Sequence, residues 1–220
     1  MRISFWSFLL ILALSVSAPS AKADTIDMSG NLSSDSTAVS PTDPVITNPS
    51  TINMGDSLSM VLTYDPTGYT QSGNSYVFTS ATFDLSFDGY SFDYSSAAGN
   101  YIEMSTPGVF GSGTVSFLIC TSLSGCSSTP GDFINLYYSG NVTSPATLAA
   151  QASGLSGNAS ASPSEFEFLR NFSDGSQTDL QGTLNRPSAP VSSVPEPGTF
   201  TLFASGLAGL AALRRRFRRS

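Results

Sequence analysis

An antiparallel β-sandwich of jelly-roll type is predicted for the body of this chain, and three observations predict it. Apolar residues alternate with polar ones over many runs of six to eight residues, the two-residue period of half-buried strands. Gly, Pro, Ser and Asn interrupt nearly every window long enough for a helix, with 19 Gly and 13 Pro in 220 residues. Aromatic residues make up 11% of the chain, too many for a disordered polar segment.

The elements follow in order. Ser57–Tyr64 sets Leu58, Met60, Leu62 and Tyr64 on one face, and Asp65-Pro66-Thr67-Gly68 reads as a turn with Pro at its second position. Tyr76–Ser80 begins another strand. In the next stretch Phe83, Leu85 and Phe87 are apolar at odd positions and Tyr90, Phe92 and Tyr94 at even ones. A type I′ hairpin at Asp88-Gly89 explains the flip and pairs Phe87 with Tyr90, Leu85 with Phe92 and Phe83 with Tyr94. The competing account is one long strand bulged at Gly89.

That pairing sets Ser86 against Ser91 and Asp84 against Asp93 on the other face. Directly opposed like charges destabilise a sheet. Either a Ca²⁺ ion relieves Asp84 and Asp93, which makes them a weak metal candidate, or both carboxylates splay into water.

Thr114–Cys120 and Asp132–Ser139 read as strands, with Val115, Phe117 and Ile119 on one and Ile134, Leu136 and Tyr138 on the other. Cys120 and Cys126, the only two cysteines, are expected to form a disulfide across the intervening loop. A metal or redox pair would want His or C-x-x-C spacing, and neither is present. Ala146–Ala152 fits a strand or a short helical turn. Glu165–Phe172 and Thr178–Leu184 complete the set, while Asp24 to about Asn53 shows little periodicity.

The ends differ in kind. Arg2, the apolar run Phe5–Val16 and Ala21-Lys22-Ala23 make the n-region, h-region and A-x-A site of a secretory signal peptide over residues 1–23. Cleavage there would start the mature chain at Asp24 and implies the Sec translocon and signal peptidase as partners. A passenger domain is then expected over 24–185 and a Pro- and Ser-rich linker over 186–194. Residues 195–219 carry the rest of the tail: motif, apolar run and arginine cluster. The run from Gly198 to Leu213 would make a helix of roughly 24 Å, somewhat under the ~30 Å hydrocarbon core. Arg214, Arg215, Arg216, Arg218 and Arg219 follow as a membrane stop that keeps the C-terminus cytoplasmic. Small residues at Ala204, Ser205, Gly206, Ala208 and Gly209 would let another helix approach closely.

The Val194-Pro195-Glu196-Pro197 motif, with the apolar run and terminal arginines behind it, resembles the PEP-CTERM sorting signal of Gram-negative bacteria. The resemblance covers about residues 194 to 219. It implies recognition and cleavage by an exosortase, a membrane-embedded peptidase, after transient anchoring in the inner membrane and before release to the cell surface or extracellular matrix. The same tail is also called an "ice-binding protein C-terminal" domain, a label that follows the tail and not the passenger.

Charge narrows the passenger's work. All 16 acidic residues lie between Asp24 and Glu196, where Arg170 and Arg186 are the only cations, so sixteen against two leaves −14. A field of that sign repels nucleic acid and keeps the protein soluble. The chain has no His, which removes the usual serine and cysteine triads and most zinc sites. No cofactor motif is present. Glu103, Glu165 and Glu167 are the glutamates a glycan-active enzyme would draw on, yet carboxylates alone do not identify one. Tyr69 and Tyr101 could stack on sugar rings in a carbohydrate-binding module, or belong to the core or its rim. Thr63, Thr67, Thr70, Thr79 and Thr82 do not recur at a fixed strand period, as an ice-binding array would require. Asn31, Asn141, Asn158 and Asn171 head N-x-S/T sequons of the kind that arise by chance in Ser-rich chains. The expectation is a non-enzymatic structural or adhesive protein among extracellular polysaccharides, with a carbohydrate-binding module as the alternative.

Overall fold

The computed structural model describes residues 23–33, 39–107, 113–121, 126, 130–161 and 164–188. Ala21, the motif Val194–Pro197, the apolar run and the terminal arginines lie outside them, whereas Ala23 is described and exposed. Among the described residues no helix is long and apolar enough to cross a membrane.

Strands β1 (Asp24–Leu32), β2 (Ser57–Tyr64), β3 (Tyr69–Ser72), β4 (Ser75–Phe78), β5 (Ala81–Phe87) and β6 (Tyr90–Ser95) come first. They are followed by β7 (Tyr101–Ser105), β8 (Thr114–Cys120) and β9 (Gly131–Ser139), then by a short helix α1 (Pro145–Gln151). The set ends with β10 (Ser156–Gly157), β11 (Phe166–Asn171) and β12 (Gln177–Leu184). The strands pair in the order β3-β4-β7-β8-β9-β11-β12-β1-β2-β5-β6, with β10 beside β9, and the pairs are antiparallel.

The expected all-β, antiparallel class is found, but one continuous sheet takes the place of two separate ones. It curls into a half-barrel. Strands β6 and β11 are five spacings apart along the sheet, about 24 Å if it lay flat. The Phe92 and Phe168 rings nevertheless meet at 4.9 Å, and Phe87 lies 6.4 Å from Phe168. The sheet has turned over on its own core.

The β1–β12 seam joins the two halves of this strand order. These strands pair only at Gly30–Leu184, Asn31–Thr183 and Leu32–Gly182, against eight pairs between β1 and β2. Both glycines are required by close approach. A Cβ on Gly30 would lie 2.1 Å from the Thr183 carbonyl oxygen, and one on Gly182 would lie 2.6 Å from that of Asn31. Their missing side chains let the two strands approach closely and still share hydrogen bonds.

Inside the curl, the residues expected to face inward do so. Leu58, Met60, Leu62, Tyr64, Val115, Phe117, Ile119, Ile134, Leu136 and Tyr138 are all buried. The Asp88-Gly89 hairpin forms with φ of 45° and 79° at its two central residues, as a type I′ turn needs. Its register pairs Phe87 with Tyr90, Leu85 with Phe92 and Phe83 with Tyr94. Five of the six are buried, and Tyr90 packs half-buried at the rim. Cys120 and Cys126 form a disulfide at the end of the β8–β9 pair, with Cα atoms 5.3 Å apart.

Four strands were not legible in the sequence: β1, β3, β7 and the two-residue β10, which is too short to carry a period. Asp24–Leu32, read as aperiodic, buries Ile26, Met28, Gly30 and Leu32 at strict alternation. Gly30 hid the pattern, since a glycine is not scored as apolar. β3 is an edge strand whose Thr70, Gln71 and Ser72 are exposed, so burial leaves no period to read. β7 places Ile102 and Met104 inward over too short a run to stand out. The undecided stretch at 146–152 is helical. Pro145 opens the helix, and the Ser144 N–H donates to the Thr147 hydroxyl at 3.3 Å. α1 closes one end of the core, where the Tyr64 hydroxyl donates to the Pro145 carbonyl at 3.2 Å and Leu148 is fully buried.

Candidate functional site

With the core filled, β1, β2, β5 and β6 turn a largely polar face outward. Alternation turns every second residue outward, and the register aligns these into rows across the strands. One row runs Thr25, Thr63, Thr82, Ser95, another Asp27, Val61, Asp84, Asp93, and a third Ser29, Ser59, Ser86, Ser91. Neighbours within a row are about 4.8 Å apart and successive rows about 6.8 Å apart. The Thr25 and Thr63 hydroxyls are 3.2 Å apart, and the serine row is exposed along its length.

Thr63 and Thr82 thus stand side by side, although the five threonines do not recur at a fixed strand period. Thr67, Thr70 and Thr79 lie elsewhere, in a turn, on β3 and after β4. The row is a product of cross-strand register, invisible to a search for a period along the chain. Thr25 belongs to β1, the strand that reading overlooked.

Within the middle row Asp84 and Asp93 face each other as the hairpin required. The Ser91 hydroxyl donates to Asp93 at 3.4 Å. Partial desolvation, with the Asp93 charge opposite adding to it, raises the Asp84 pKa above the ordinary carboxylate value. Calcium takes six to eight oxygen ligands. Among the described residues no group of three or more His, Cys, Asp or Glu side chains is gathered that could hold a metal ion.

A raised folded-state pKa means that ionised Asp84 opposes folding at neutral pH and ceases to do so once protonated. Asp84→Asn is therefore expected to stabilise the protein at pH 7 by about 0.2–1 kcal/mol, as for relief of a like-charge pair. The gain should fade as pH falls through the carboxylate range. Urea melts of both proteins at pH 7 and pH 3 measure it.

A second polar cluster is buried. Phe166, Phe168 and Arg170 share the inward face of β11, so a guanidinium enters the core register. Arg170 donates Nε to Asp132 Oδ1 at 2.6 Å, Nη2 to Asp132 Oδ2 at 3.0 Å and Nη1 to Asp43 Oδ1 at 3.2 Å. Its cationic carbon lies 4.9 Å above the Phe92 ring and 5.9 Å from that of Phe168. The Tyr94 hydroxyl donates to Asp132 at 2.9 Å and the Thr178 hydroxyl to Asp43 at 2.9 Å. Backbone N–H groups of Val45 and Ile46 complete the Asp43 shell.

Burial works against both charges here. For Asp43 the Ile46, Val45 and Thr178 hydrogen bonds and the Arg170 charge outweigh it, and its pKa falls. For Arg170 the Asp132 and Asp43 carboxylates outweigh it, and its pKa rises. The cluster ties β6, β9, β11, β12 and the 39–48 segment together, latching the curl. A charged residue at the i+4 position of an inward-facing Phe166-Phe168 alternation was the signal that could have found it.

The other named residues do structural work. Glu103 accepts hydrogen bonds from Tyr101 and, at 2.8 Å, from Ser105. Glu167 accepts from Asn135 at 3.1 Å, and Glu165 takes the Leu184 N–H at 2.6 Å. Glu103 and Glu167 stand three strand spacings apart, about 14 Å. Tyr69 is half-buried, edge-on to Tyr76 at 5.3 Å, and Tyr101 is half-buried on β7. Neither projects freely from a loop.

Beyond the described residues, the chain from 193 to 216 matches the PEP-CTERM protein-sorting motif. The tail is a PEP-CTERM sorting motif. It takes in Val194, Pro195, Glu196, Pro197, Arg214, Arg215 and Arg216, while Arg218 and Arg219 follow the matched segment. The motif marks the protein for export and for membrane-associated sorting by an exosortase-type system. No curated protein and no solved structure matches the chain.

Proposed function

We propose that the passenger is a structural or adhesive protein of the cell surface or extracellular matrix, contacting polysaccharide through the hydroxyl and carboxylate rows of its outer face. One observation carries this reading: Thr25, Thr63, Thr82 and Ser95, with Ser29, Ser59, Ser86 and Ser91, form two parallel hydroxyl rows on four adjacent strands. Such a surface offers many weak, repeated hydrogen bonds to a hydrated polymer. Affinity then comes from the number of contacts rather than from one pocket. The passenger acts without catalysis. The net negative charge keeps it apart from nucleic acid and soluble in the extracellular space.

Co-sedimentation of the mature protein with the producing cells' own exopolysaccharide tests the reading. The triple variant Thr63→Val, Thr82→Val, Ser59→Ala should lose retention at least several-fold while its melting temperature stays close to that of the parent. Unchanged retention would contradict the role given to this face. Binding that saturates on one insoluble polysaccharide and is lost in Tyr69→Ala would instead favour a carbohydrate-binding module.

A further inference from the structure

The outer face of the sheet is not uniform. On β2, β5 and β6 its outward side chains are Ser, Thr and Asp, with Val61 the exception. On the adjacent run β7-β8-β9-β11-β12 its character changes. The register sets Tyr101, Cys120, Phe133, Leu169 and Asp179 in one row. Glu103, Leu118, Asn135, Glu167 and Gln181 form the next. Tyr101, Leu118, Phe133 and Leu169 are half-buried, so each keeps part of its surface in solvent. Among the described residues no second sheet covers them. Leu118, Phe133 and Leu169 make an apolar centre, and Glu103, Glu167 and Asp179 stand around it.

Those three carboxylates have no cation beside them. Among the described residues, no Lys or Arg occupies an outward position on these five strands, and Arg170 makes its ion pairs from the inward face. Glu103 is held by Tyr101 and Ser105, and Glu167 by Asn135, all uncharged donors. Partial burial raises the Asp179 pKa, and the Gln181 amide, at 3.4 Å, offsets this only in part. A cation brought to the face would relieve that charge. A second copy of the chain would instead set carboxylates against carboxylates, and an acidic polymer or lipid would be repelled in the same way. The ligand that fits has apolar surface and positive charge together.

Strand spacing narrows its class. Neighbouring strands lie about 4.8 Å apart, close to the advance of one sugar unit along an extended β-linked polymer. A polymer crossing the strands would therefore bring one ring over each. The Phe133 ring offers an apolar face to the C–H side of a sugar, flanked by Leu118 and Leu169. Gln181 offers an amide to hydroxyl groups. Glu103 and Glu167, about 14 Å apart across the row, would take amino groups on either side. We propose that this face binds a polysaccharide bearing free amino groups, a polymer of amino sugars. The site is separate from the hydroxyl rows and does not rest on the role given to them.

Calorimetric titration of the secreted mature protein with a β-linked glucosamine hexamer tests it, at about pH 5.5 where carboxylates and sugar amines both carry charge. The N-acetylated hexamer, which has no amino charge, should bind roughly tenfold more weakly. Phe133→Ala should weaken glucosamine binding about five- to tenfold, and Phe133→Leu, which keeps the apolar packing, should do the same if the alanine variant fails to fold. The Glu103→Gln, Glu167→Gln pair should cost about as much. Asp27→Asn with Asp84→Asn removes the same charge from the other half of the sheet and should leave binding unchanged. Absence of binding, or equal affinity for the N-acetylated hexamer, would overturn the proposal. Equal losses from the two charge pairs would also overturn it, by showing that the overall field does the binding. Sedimentation of a dimer that Phe133→Ala separates would assign the face to a second copy instead. Loss of hexamer binding in Thr63→Val, Thr82→Val, Ser59→Ala, with Phe133→Ala unaffected, would move the site to the hydroxyl rows and overturn this face alone.

Discussion

Arg170→Met is expected to destabilise the passenger by about 3–5 kcal/mol, the usual cost of removing one partner from a buried ion pair. The Arg170 side chain is 15% exposed, that of Asp132 9% and that of Asp43 0%, so both carboxylates would be left without a counter-charge in the core. Methionine restores the volume over Phe92 and Phe168 but neither the charge nor the fork of hydrogen bonds. Lysine keeps the charge and should fall between the two, because it cannot hold Asp132 through two parallel bonds. The pH dependence gives a second readout. In the parent protein the Asp43 pKa is lowered, so its contribution is present above the ordinary carboxylate value and is lost as pH falls through the lowered one. In the Met variant the stranded carboxylates favour protonation, so the deficit against the parent should shrink on acidification. Urea denaturation from pH 7 to pH 3 reads both effects, and a constant deficit would show that charge is not the cause.

Gly30→Ala should cost about 1–3 kcal/mol, the range for forcing extra atoms into a packed site. The obstacle is the Thr183 backbone oxygen at 2.1 Å, which no rotamer change can move aside. Relief requires the β1–β12 seam to open. Gly182→Ala meets the Asn31 backbone oxygen at 2.6 Å and the Leu58 side chain at 3.0 Å and should behave alike. Gly154→Ala is the control. Nothing lies within 4 Å of its added carbon, and its melting temperature should stay near that of the parent. Equal melting temperatures for all three variants would show that the seam yields to an added methyl group without cost.

What the sequence disclosed, and what it did not, divides by range. The Asp88-Gly89 hairpin was legible down to the pairing of Asp84 with Asp93, because a two-residue turn fixes register locally. The disulfide was legible because two cysteines in an exported chain leave one pairing. The β1–β12 seam was not, since its partners lie about 150 residues apart and its signature is a pair of glycines whose meaning depends on what they approach. The hydroxyl rows were hidden for the same reason. Thr25, Thr63 and Thr82 become neighbours only once β1 is placed beside β2 and β2 beside β5. Of the two places open to Tyr69 and Tyr101, a sugar platform or the rim of the core, short strands carry them half-buried against Tyr76 and Glu103.

Exported cargo whose tail is cut at the sorting motif should leave a shortened product outside the cell. Intact-mass measurement on protein recovered from the cell surface and medium tests it most directly, alongside the membrane fraction of a strain carrying Glu196→Ala. The expected result is an extracellular product that starts at Asp24 and ends close to Val194–Pro197, and a variant that stays tail-bearing in the membrane. A 220-residue chain with both termini intact in the cytosol, or release of the variant unchanged, would contradict it.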